Sequence, residues 1–155
     1  MATCPPSLTW MLVKDQNAFM HKRNGHTARS GSVTLSGEPF NLTNKHSFKA
    51  SGLCNEQAVG VDLDPAAERP TGCLTLKVKK AAAKPAKQVA KTPLKKNFRR
   101  VAKAITSQTA GQYYRADLKD AALQRWSSVY RFAMVKKGLK KPAKGKYGRK
   151  SETSA

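Results

Sequence analysis

The chain has 155 residues, a formal net charge of +21 and an apolar fraction of 39%, which is below the roughly 45–50% of ordinary globular chains. This length suits one domain with tails. The strongest apolar run, at 10–13, is far shorter than the roughly 18 residues of a membrane-spanning helix, and the first residues do not match a secretory signal. The sequence therefore predicts a protein kept in the cytosolic or nuclear compartment.

The positive charge is concentrated in the C-terminal half. Residues 1–76 carry 7 Lys/Arg and 6 Asp/Glu, whereas residues 77–155 carry 23 and 3. A segment with so few acids repels itself unless a polyanion neutralises it. Nucleic acid is the partner best able to do so, because its phosphates are closely spaced and binding releases condensed counterions. An anionic membrane surface is the alternative.

The N-terminal part contains short elements. Residues 1–6 are expected to be a flexible start. Residues 8–14 fit either a short helix capped by Ser7 or a strand, because periodicity cannot decide over so few positions. A strand is predicted at 18–22, followed by an exposed loop at 24–38 with a brief extended piece at 33–35.

Two alternating segments give the clearest strand signals. In 58–63 the residues Val59, Val61 and Leu63 share one face, and 73–79 alternates in the same way. The loop 64–72 between them contains two prolines and a glycine. These segments predict an antiparallel hairpin with one buried face, and residues 47–50 are expected to add another strand.

A basic linker and a helix are predicted next. Residues 80–91 (KAAAKPAKQVAK) have low complexity and are expected to be extended unless bound. Thr92 followed by Pro93 is typical of a helix start, and Gly111 is expected to end the element. The spacing predicts one apolar stripe that packs on the sheet, formed by Leu94, Phe98, Val101 and Ile105.

A second helix is predicted to begin at Asp117, with Asp120 three residues later, and to end no later than Gly138. Residues 138–155 are expected to be a basic tail that is disordered when free. The predicted division is therefore 1–6, a sheet-bearing half at 7–79, the linker 80–91, two helices within 92–137 and the tail. The core-facing residues of the second helix are expected to be Leu118, Ala121, Ala122, Trp126, Val129 and Ala133.

The sequence contains no arrangement that predicts catalysis. It lacks Gly-rich phosphate loops, and its histidines lie in or beside N-terminal loops. A zinc site built from Cys4, Cys54 or Cys73 with a histidine is conceivable, but reduced thiols packed as small apolar residues fit their odd number and wide spacing better. We therefore expect no enzyme activity, no cofactor, no metal and no small-molecule substrate.

The predicted helix at 92–107 carries five cations on one face, along about 12 Å of helix axis at 1.5 Å per residue. A solvated basic face is the alternative, but no acid on this helix pairs with the cations, and basic segments flank it at 77–91 and 136–150. A membrane-surface helix would need a wider apolar face with exposed aromatic residues. Nucleic acid is therefore the favoured partner, and long Lys-rich extensions favour RNA.

Tyr113 and Tyr114 follow this helix and could stack on unpaired bases. The alternative is that one packs inside while the other lies flat outside. The predicted RNA-binding residues are the cations and tyrosines of the C-terminal half: Lys77, Lys79, Lys80, Lys84, Lys87, Lys91, Lys95, Lys96, Arg99, Arg100, Lys103, Tyr113, Tyr114, Arg115, Arg125, Lys136, Lys137, Lys140, Lys141, Lys144, Lys146, Arg149 and Lys150.

An ordered series of short stretches carries a family resemblance. The stretches are 8–14 (LTWMLVK), 19–24 (FMHKRN), Asn41-Leu42 followed by Ser47-Phe48, 51–53 (SGL), 59–61 (VGV), and 114–122 (YRADLKDAA) with Arg125 beyond it. Over roughly residues 7–137 the chain resembles the eukaryote-specific large-subunit ribosomal protein twenty-eight family. It departs from that pattern in a longer loop at 24–38, in the Ala/Lys linker at 81–91, and in a shortened segment after residue 131.

The resemblance implies a small α+β fold and favours the helix at 8–14. The expected architecture is a small antiparallel sheet with a short N-terminal helix, two C-terminal amphipathic helices packed on the sheet, and basic extensions. The resemblance also implies a structural, non-catalytic component of the cytosolic large (60S) ribosomal subunit. Its expected partners are ribosomal RNA and neighbouring ribosomal proteins, with no membrane association and with nucleolar passage during assembly.

Two other functions stay open at this point. A ribosome-assembly factor of related fold is one, although such relatives carry a cysteine cluster and here only Cys54 lies in the comparable region. A linker-histone-like chromatin protein is the other, suggested by residues 81–91. The neutral, strand-bearing N-terminal half does not suit the three-helix module of such a protein.

Overall fold

A computed structural model of the chain describes residues 4–24, 31–64, 71–78 and 87–141. Strands β1 and β2 form a two-stranded antiparallel sheet, and β3, β4 and β5 form a three-stranded antiparallel sheet in that order. The predicted α+β class is thereby confirmed. The elements are α1 (Pro6–Val13), β1 (Met20–Asn24), β2 (Ser32–Ser36), β3 (Val59–Leu63), β4 (Gly72–Lys77), β5 (Val89–Leu94), α2 (Phe98–Thr106) and α3 (Lys119–Lys136).

The core lies between the three-stranded sheet and the C-terminal helices. Helix α3 packs over β3 and β4, and α2 packs beside α3. The hairpin predicted from β3 and β4 is confirmed, because the two strands pair antiparallel and Val59, Val61 and Leu74 are fully buried. The prediction of one buried face is wrong, because Gly60 and Cys73 on the opposite face are buried as well. One cluster joins both layers, formed by Leu42, Val59, Val61, Leu74, Leu94, Val101, Ile105, Leu118, Ala122, Trp126 and Val129.

Trp126 approaches the start of β4 so closely that only glycine fits there. A Cβ atom on Gly72 would lie 2.5 Å from Cζ3 of Trp126, well inside van der Waals contact. Trp126 itself is 3% exposed. This contact fixes how α3 lies across the sheet.

The N-terminal segment 8–14 is helical, as the family resemblance favours. Ser7 does not cap α1; Pro5 occupies the N-cap position and makes no side-chain cap. The Trp10 ring anchors the helix against the rings of His46, at 4.9 Å, and Phe48, at 6.0 Å between centroids. The helix therefore contacts the segment that follows β2.

Residues 47–50 form a turn, so the strand predicted there is wrong. The Ser51 N–H donates to the Ser47 carbonyl over 3.0 Å. The buried carboxylate of Glu38, 4% exposed, accepts hydrogen bonds from the hydroxyls of Ser36, at 2.9 Å, and Ser51, at 2.7 Å. These bonds to Glu38 hold the turn against the end of β2.

The helix predicted from Thr92 is wrong in its first turn. Residues 89–94 form β5, which pairs antiparallel with β4 and places Thr92 opposite Leu74. Pro93 is tolerated because β5 is an edge strand. Helix α2 begins at Phe98, and the Asn97 side chain caps it by accepting the Arg100 N–H over 3.0 Å.

The basic linker predicted at 80–91 is therefore too long, because its last residues belong to β5. Its positions 80–86 lie outside the described residues, as do 1–3 and 142–155. The flexible start at 1–6 extends too far, because α1 begins at Pro6.

The end of α2 and the limits of α3 agree closely with expectation. A single π-helical turn, Ser107–Gly111, continues α2 to the predicted glycine. Before α3, the segment Ala116–Leu118 forms a 3₁₀ turn, so Asp117 does not cap the α-helix. Gly138 has φ +73° and follows the last turn of α3, which confirms it as the helix limit.

Candidate nucleic-acid interface

The cations at the start of α2 are exposed. Lys95 and Lys96 lie in the turn before the helix, and Arg99, Arg100 and Lys103 lie on it. Only the last three are therefore carried by the helix, which shortens the helical cation row to about 6 Å at 1.5 Å per residue. None of the five pairs with a carboxylate of the described residues, where the ion pairs are Arg115–Asp117 and Arg125–Asp62.

The charge distribution along α2 conflicts with its helix dipole. The first turn contains no acid, and four cations lie in or just before it. A helix N-terminus carries a partial positive charge and favours anions. These cations therefore repel both one another and the helix end, and an external anion would relieve that repulsion.

Two cavities flank the N-terminus of α2. The first cavity, of about 210 Å³, lies between the turn 95–97, the start of β4 and the C-terminal part of α3, and Lys95, Lys96 and Lys137 contribute to its lining. The second cavity, of about 450 Å³, is lined by Phe98, Ser127, Tyr130, Arg131, Lys140 and Lys141. Among the described residues that line them, neither cavity has a carboxylate.

The chain reversal after α3 places Lys140 and Lys141 at the second cavity. The N–H of Gly138 donates to the Val135 carbonyl over 2.9 Å, and the N–H of Leu139 donates to the Met134 carbonyl over 3.0 Å. This bond pattern, with a left-handed glycine, is typical of a helix terminus that turns back. The turn brings the two lysines toward Phe98.

Three aromatic rings lie between the two cavities. Phe98 stacks on Trp126 with a centroid distance of 6.0 Å and an interplanar angle of 18°. Tyr130 contacts Phe98 at 5.1 Å and Trp126 at 5.6 Å in tilted geometry. Phe98 remains 37% exposed, so the prediction that it belongs to the buried stripe is wrong, whereas Val101 and Ile105 are buried as predicted.

Lys77, a predicted RNA contact, is used inside the protein. Its ammonium donates to the carbonyls of Asn55, at 2.9 Å, Gly52, at 3.2 Å, and Leu53, at 3.4 Å. Burial lowers the pKa of Lys77, and this effect outweighs the opposing influence of Cys54 and Glu56. We therefore remove Lys77 from the candidate interface.

Tyr114 and Arg115 also serve internal contacts. The Tyr114 hydroxyl accepts the Ala58 N–H over 3.2 Å and donates to the Lys77 carbonyl, and burial raises the pKa of Tyr114. Arg115 pairs with Asp117 at 2.8 Å and donates to two backbone carbonyls of the segment 49–57. The arginine hydrogen bond is the main reason that the pKa of Asp117 is lowered.

Arg125 also makes internal contacts, whereas Tyr113 is exposed. Arg125 pairs with Asp62 at 2.8 Å and donates to the Val61 carbonyl over 3.2 Å, so it joins α3 to β3. Tyr113, at φ +52°, is 90% exposed. The two tyrosines thus follow the alternative in which one packs inside and the other lies outside.

Most remaining predicted cations of the described chain are exposed, and they surround α2 and the end of α3. Arg131, which the prediction omitted, joins them at the second cavity. The exposed set is Lys87, Lys91, Lys95, Lys96, Arg99, Arg100, Lys103, Lys136, Lys137, Lys140 and Lys141. Outside the described residues lie Lys79, Lys80, Lys84, Lys144, Lys146, Arg149 and Lys150.

Two structural features are absent from the described part of the chain. Residues 4–24, 31–64, 71–78 and 87–141 contain no group of three His, Cys, Asp or Glu side chains placed to hold a metal ion. Within the same ranges, no helix combines the length and apolar character needed to span a bilayer. Cys54 and Cys73 are buried free thiols, and Cys4 is an exposed one.

Comparison with known proteins gives the family. The model of the Ribosomal L28e protein family matches residues 8–132. The chain belongs to this family. The resemblance to eukaryote-specific large-subunit ribosomal proteins is thereby confirmed. The L28e match runs from within α1 through most of α3, includes Phe98, Tyr130 and Arg131, and stops before Lys140 and Lys141.

Two curated relatives of this L28e chain have similar length and identity. The large ribosomal subunit protein eL28 of Schizosaccharomyces pombe is 33% identical over 125 residues, which cover 79% of this chain and 87% of the relative. The protein of the same name from Dictyostelium discoideum is 34% identical over 123 residues, covering 79% of this chain and 83% of the relative.

Proposed function

We propose that this chain is a structural component of the cytosolic large (60S) ribosomal subunit and binds ribosomal RNA through exposed cations of residues 87–141. Membership of the L28e family supports the ribosome as its assembly. Neighbouring ribosomal proteins are further partners, and assembly takes the chain through the nucleolus. The proposal includes no catalytic reaction, cofactor or small-molecule substrate.

The observation that carries RNA binding is the group of exposed cations on α2 and in the turn before it, none of which has a carboxylate partner among the described residues. Lys95, Lys96, Arg99, Arg100 and Lys103 lack a carboxylate partner among the described residues. A folded protein keeps like charges together at low cost only when solvent or a polyanion screens them. Closely spaced phosphates are the ligand that neutralises such a group and releases counterions.

The remaining basic residues extend the same proposal. The exposed cations of strand β5 and of the end of α3 would contact further phosphates, and exposed Tyr113 could stack on an unpaired base. The Lys-rich segments outside the described residues would add phosphate contacts of the same kind. Lys77, Tyr114, Arg115 and Arg125 are excluded from the contact set because the fold uses their polar groups.

Sedimentation of a tagged chain through gradients of rising salt tests the proposal. The wild-type chain should co-sediment in stoichiometric amounts with mature large subunits and with translating ribosomes. Arg99→Glu, Arg100→Glu and Lys103→Glu together should not lower the melting temperature, because all three side chains are exposed and acids in the first turn of α2 suit the helix dipole. The triple variant should leave the particles at lower salt. In titrations of the triple variant with isolated ribosomal RNA, the slope of log affinity against log salt concentration should become shallower by roughly two to three.

A matched triple charge reversal elsewhere distinguishes an effect of the α2 face from an effect of the total charge. Lys14→Glu, Arg23→Glu and Lys45→Glu change the charge by the same amount on exposed sites of the N-terminal half, and should leave retention near that of wild type. Equal retention of both triple variants would refute the assigned face. Association with nuclear precursors alone would favour an assembly factor, and co-fractionation with nucleosomes would favour a chromatin protein.

A further inference from the structure

We propose that Phe98 and the two cavities beside it form a site for one unpaired nucleotide of RNA, with the base on the Phe98 ring and the adjoining phosphates in the two cavities. This inference rests on the proposed RNA-binding function and names the ligand at one part of the interface. It is carried by a partly exposed, rigidly held aromatic ring with cations on both sides.

The Phe98 ring is held in a fixed orientation. It stacks on the buried Trp126 and is braced by Tyr130 at 5.1 Å. A ring that is already ordered loses little conformational freedom on binding, and a partly exposed aromatic face can stack a base of any identity. Phe98 therefore differs from Tyr113, which is exposed and has no ring contact of this kind with the residues that the structure describes.

The first cavity is lined by hydrogen-bond donors. The Asn97 amide oxygen is occupied by the Arg100 N–H, which leaves the amide NH₂ of Asn97 as a donor. Lys95, Lys96 and Lys137 contribute ammonium groups. Donors without matching acceptors favour a ligand that offers acceptors only, and a phosphodiester is such a group.

Two buried polar groups belong to residues that line the first cavity. The indole N–H of Trp126 and the hydroxyl of Thr71 are buried and have no hydrogen-bond partner among the described residues. Both residues line the first cavity. Buried donors without partners are costly, so this side of the cavity contains polar groups that the described residues leave unsatisfied.

The second cavity provides the other phosphate position. Tyr130 lines both cavities, whereas Arg131, Lys140 and Lys141 line only the second. Two other cavities of the described chain include carboxylates: Asp62 lies in one, and Glu56 and Asp117 lie in the other. The two cavities beside Phe98 differ from these two in having no acid among their described lining residues.

The occupant should be a base of a single strand, because both faces of a base inside a duplex are covered by its stacked neighbours and only a splayed-out base can stack on a side-chain ring. A duplex could still contact the cations through its backbone, but it would not use the ring. The ring and the cations thus make separable contributions. Affinity for a single strand should depend on both, and affinity for a duplex only on the charges.

Fluorescence titrations of the purified full chain with oligoadenylate and with an RNA duplex of equal length test the site. Phe98→Leu keeps an apolar contact with Trp126 but removes the ring. It should weaken oligoadenylate binding about tenfold, leave duplex binding within about twofold, and leave the salt slope of both unchanged, because no charge is altered. Phe98→Tyr should restore wild-type binding. Phe132→Leu is the matched control, since Phe132 is exposed on α3 outside both cavities.

Lys140→Gln with Lys141→Gln provides a second measurement that does not disturb the core. This double variant should lower the salt slope by roughly one to two and should fold normally, because both residues are exposed. If Phe98→Leu binds oligoadenylate as tightly as wild type, or if Tyr113→Leu shows the tenfold loss instead, the nucleotide site is wrong while the proposed function stands. A wild-type chain without salt-dependent binding to either RNA would overturn the proposed function itself.

Discussion

The hydroxyl of Tyr114 accepts the backbone N–H of Ala58 over 3.2 Å and so joins two segments that are 56 residues apart. The same hydroxyl donates to the Lys77 carbonyl. One side chain thereby connects the segment after α2 to the start of β3 and to the end of β4. Because the connection uses the backbone just before β3 and at the end of β4, it fixes the segment after α2 relative to the sheet.

Tyr114→Phe should destabilise the fold while preserving its shape. The variant leaves the Ala58 N–H and the Lys77 carbonyl without their side-chain partner, at a cost of about 1–2 kcal/mol. Burial raises the pKa of Tyr114, so its contribution is complete below the unfolded value of about 10. That contribution is lost as pH rises through the folded value. Denaturant unfolding at rising alkaline pH measures both effects.

Tyr113→Phe is the control for that series. Tyr113 is 90% exposed, so its hydroxyl should contribute nothing measurable to the free energy of unfolding. If Tyr114→Phe melted like wild type at neutral pH, and lost stability at the same alkaline pH, the hydroxyl would not connect the layers as described.

Lys77→Met should affect folding rather than RNA binding. Methionine keeps the apolar stem but removes the donor of three carbonyls, including that of Asn55 at 2.9 Å. The expected loss is about 1–3 kcal/mol in the free energy of unfolding. Urea unfolding measures this loss, and titration with ribosomal RNA should give an unchanged salt slope.

Lys103→Met is the opposite case and serves as the matched comparison. Lys103 is exposed on α2, so its loss should leave stability nearly unchanged and should lower the RNA salt slope by roughly one. The roles assigned to the two lysines would be contradicted if Lys77→Met lowered the slope and Lys103→Met did not.

These two lysines show what charge counting could and could not predict. Both lysines belong to the same basic half of the chain, and their local sequence does not distinguish a buried from an exposed ammonium group. The three acceptors of Lys77 lie 22 to 25 residues away in sequence, and Arg115 donates to a carbonyl 66 residues away. Such contacts are set by tertiary packing, so local spacing could not identify which cations the fold consumes.

The beginning of α2 shows a competition between two local signals. Thr92-Pro93 is typical of a helix start, and Leu94 continues the helical apolar spacing. The same residues also alternate as a strand, because Thr92 and Leu94 face inward while Lys91 and Pro93 are exposed. In the structure these residues pair with β4 as a strand, and Asn97 caps the helix that follows.

The core helix α3 was easier to predict than the candidate nucleotide site. Its apolar positions repeat at helical spacing over many residues, and Gly138 marks its end. The second cavity depends instead on where the chain goes after that glycine. The sequence identified Lys140 and Lys141 as cations, but the reversal that brings them toward Phe98 is a property of the folded chain.

Asp117→Asn should weaken the dependence of the free energy of unfolding on pH in the acid range. The hydrogen bond from Arg115 holds the pKa of Asp117 below its ordinary value. A carboxylate with a lowered folded pKa adds stability above its unfolded value of about 4, and this stability disappears as pH falls through the folded value. The ion pair is partly exposed, so the expected loss at neutral pH is below about 1 kcal/mol.

Urea unfolding at intervals between neutral and strongly acidic pH measures this effect. The difference between wild type and Asp117→Asn should be largest above about pH 4 and should shrink toward zero at lower pH, because the wild-type carboxylate then becomes neutral. Asp15→Asn is the control, since Asp15 is an exposed residue outside the ion pairs of the described chain, and it should run parallel to wild type throughout. A constant difference at all pH values would mean that Asp117 acts through packing and not through its charge.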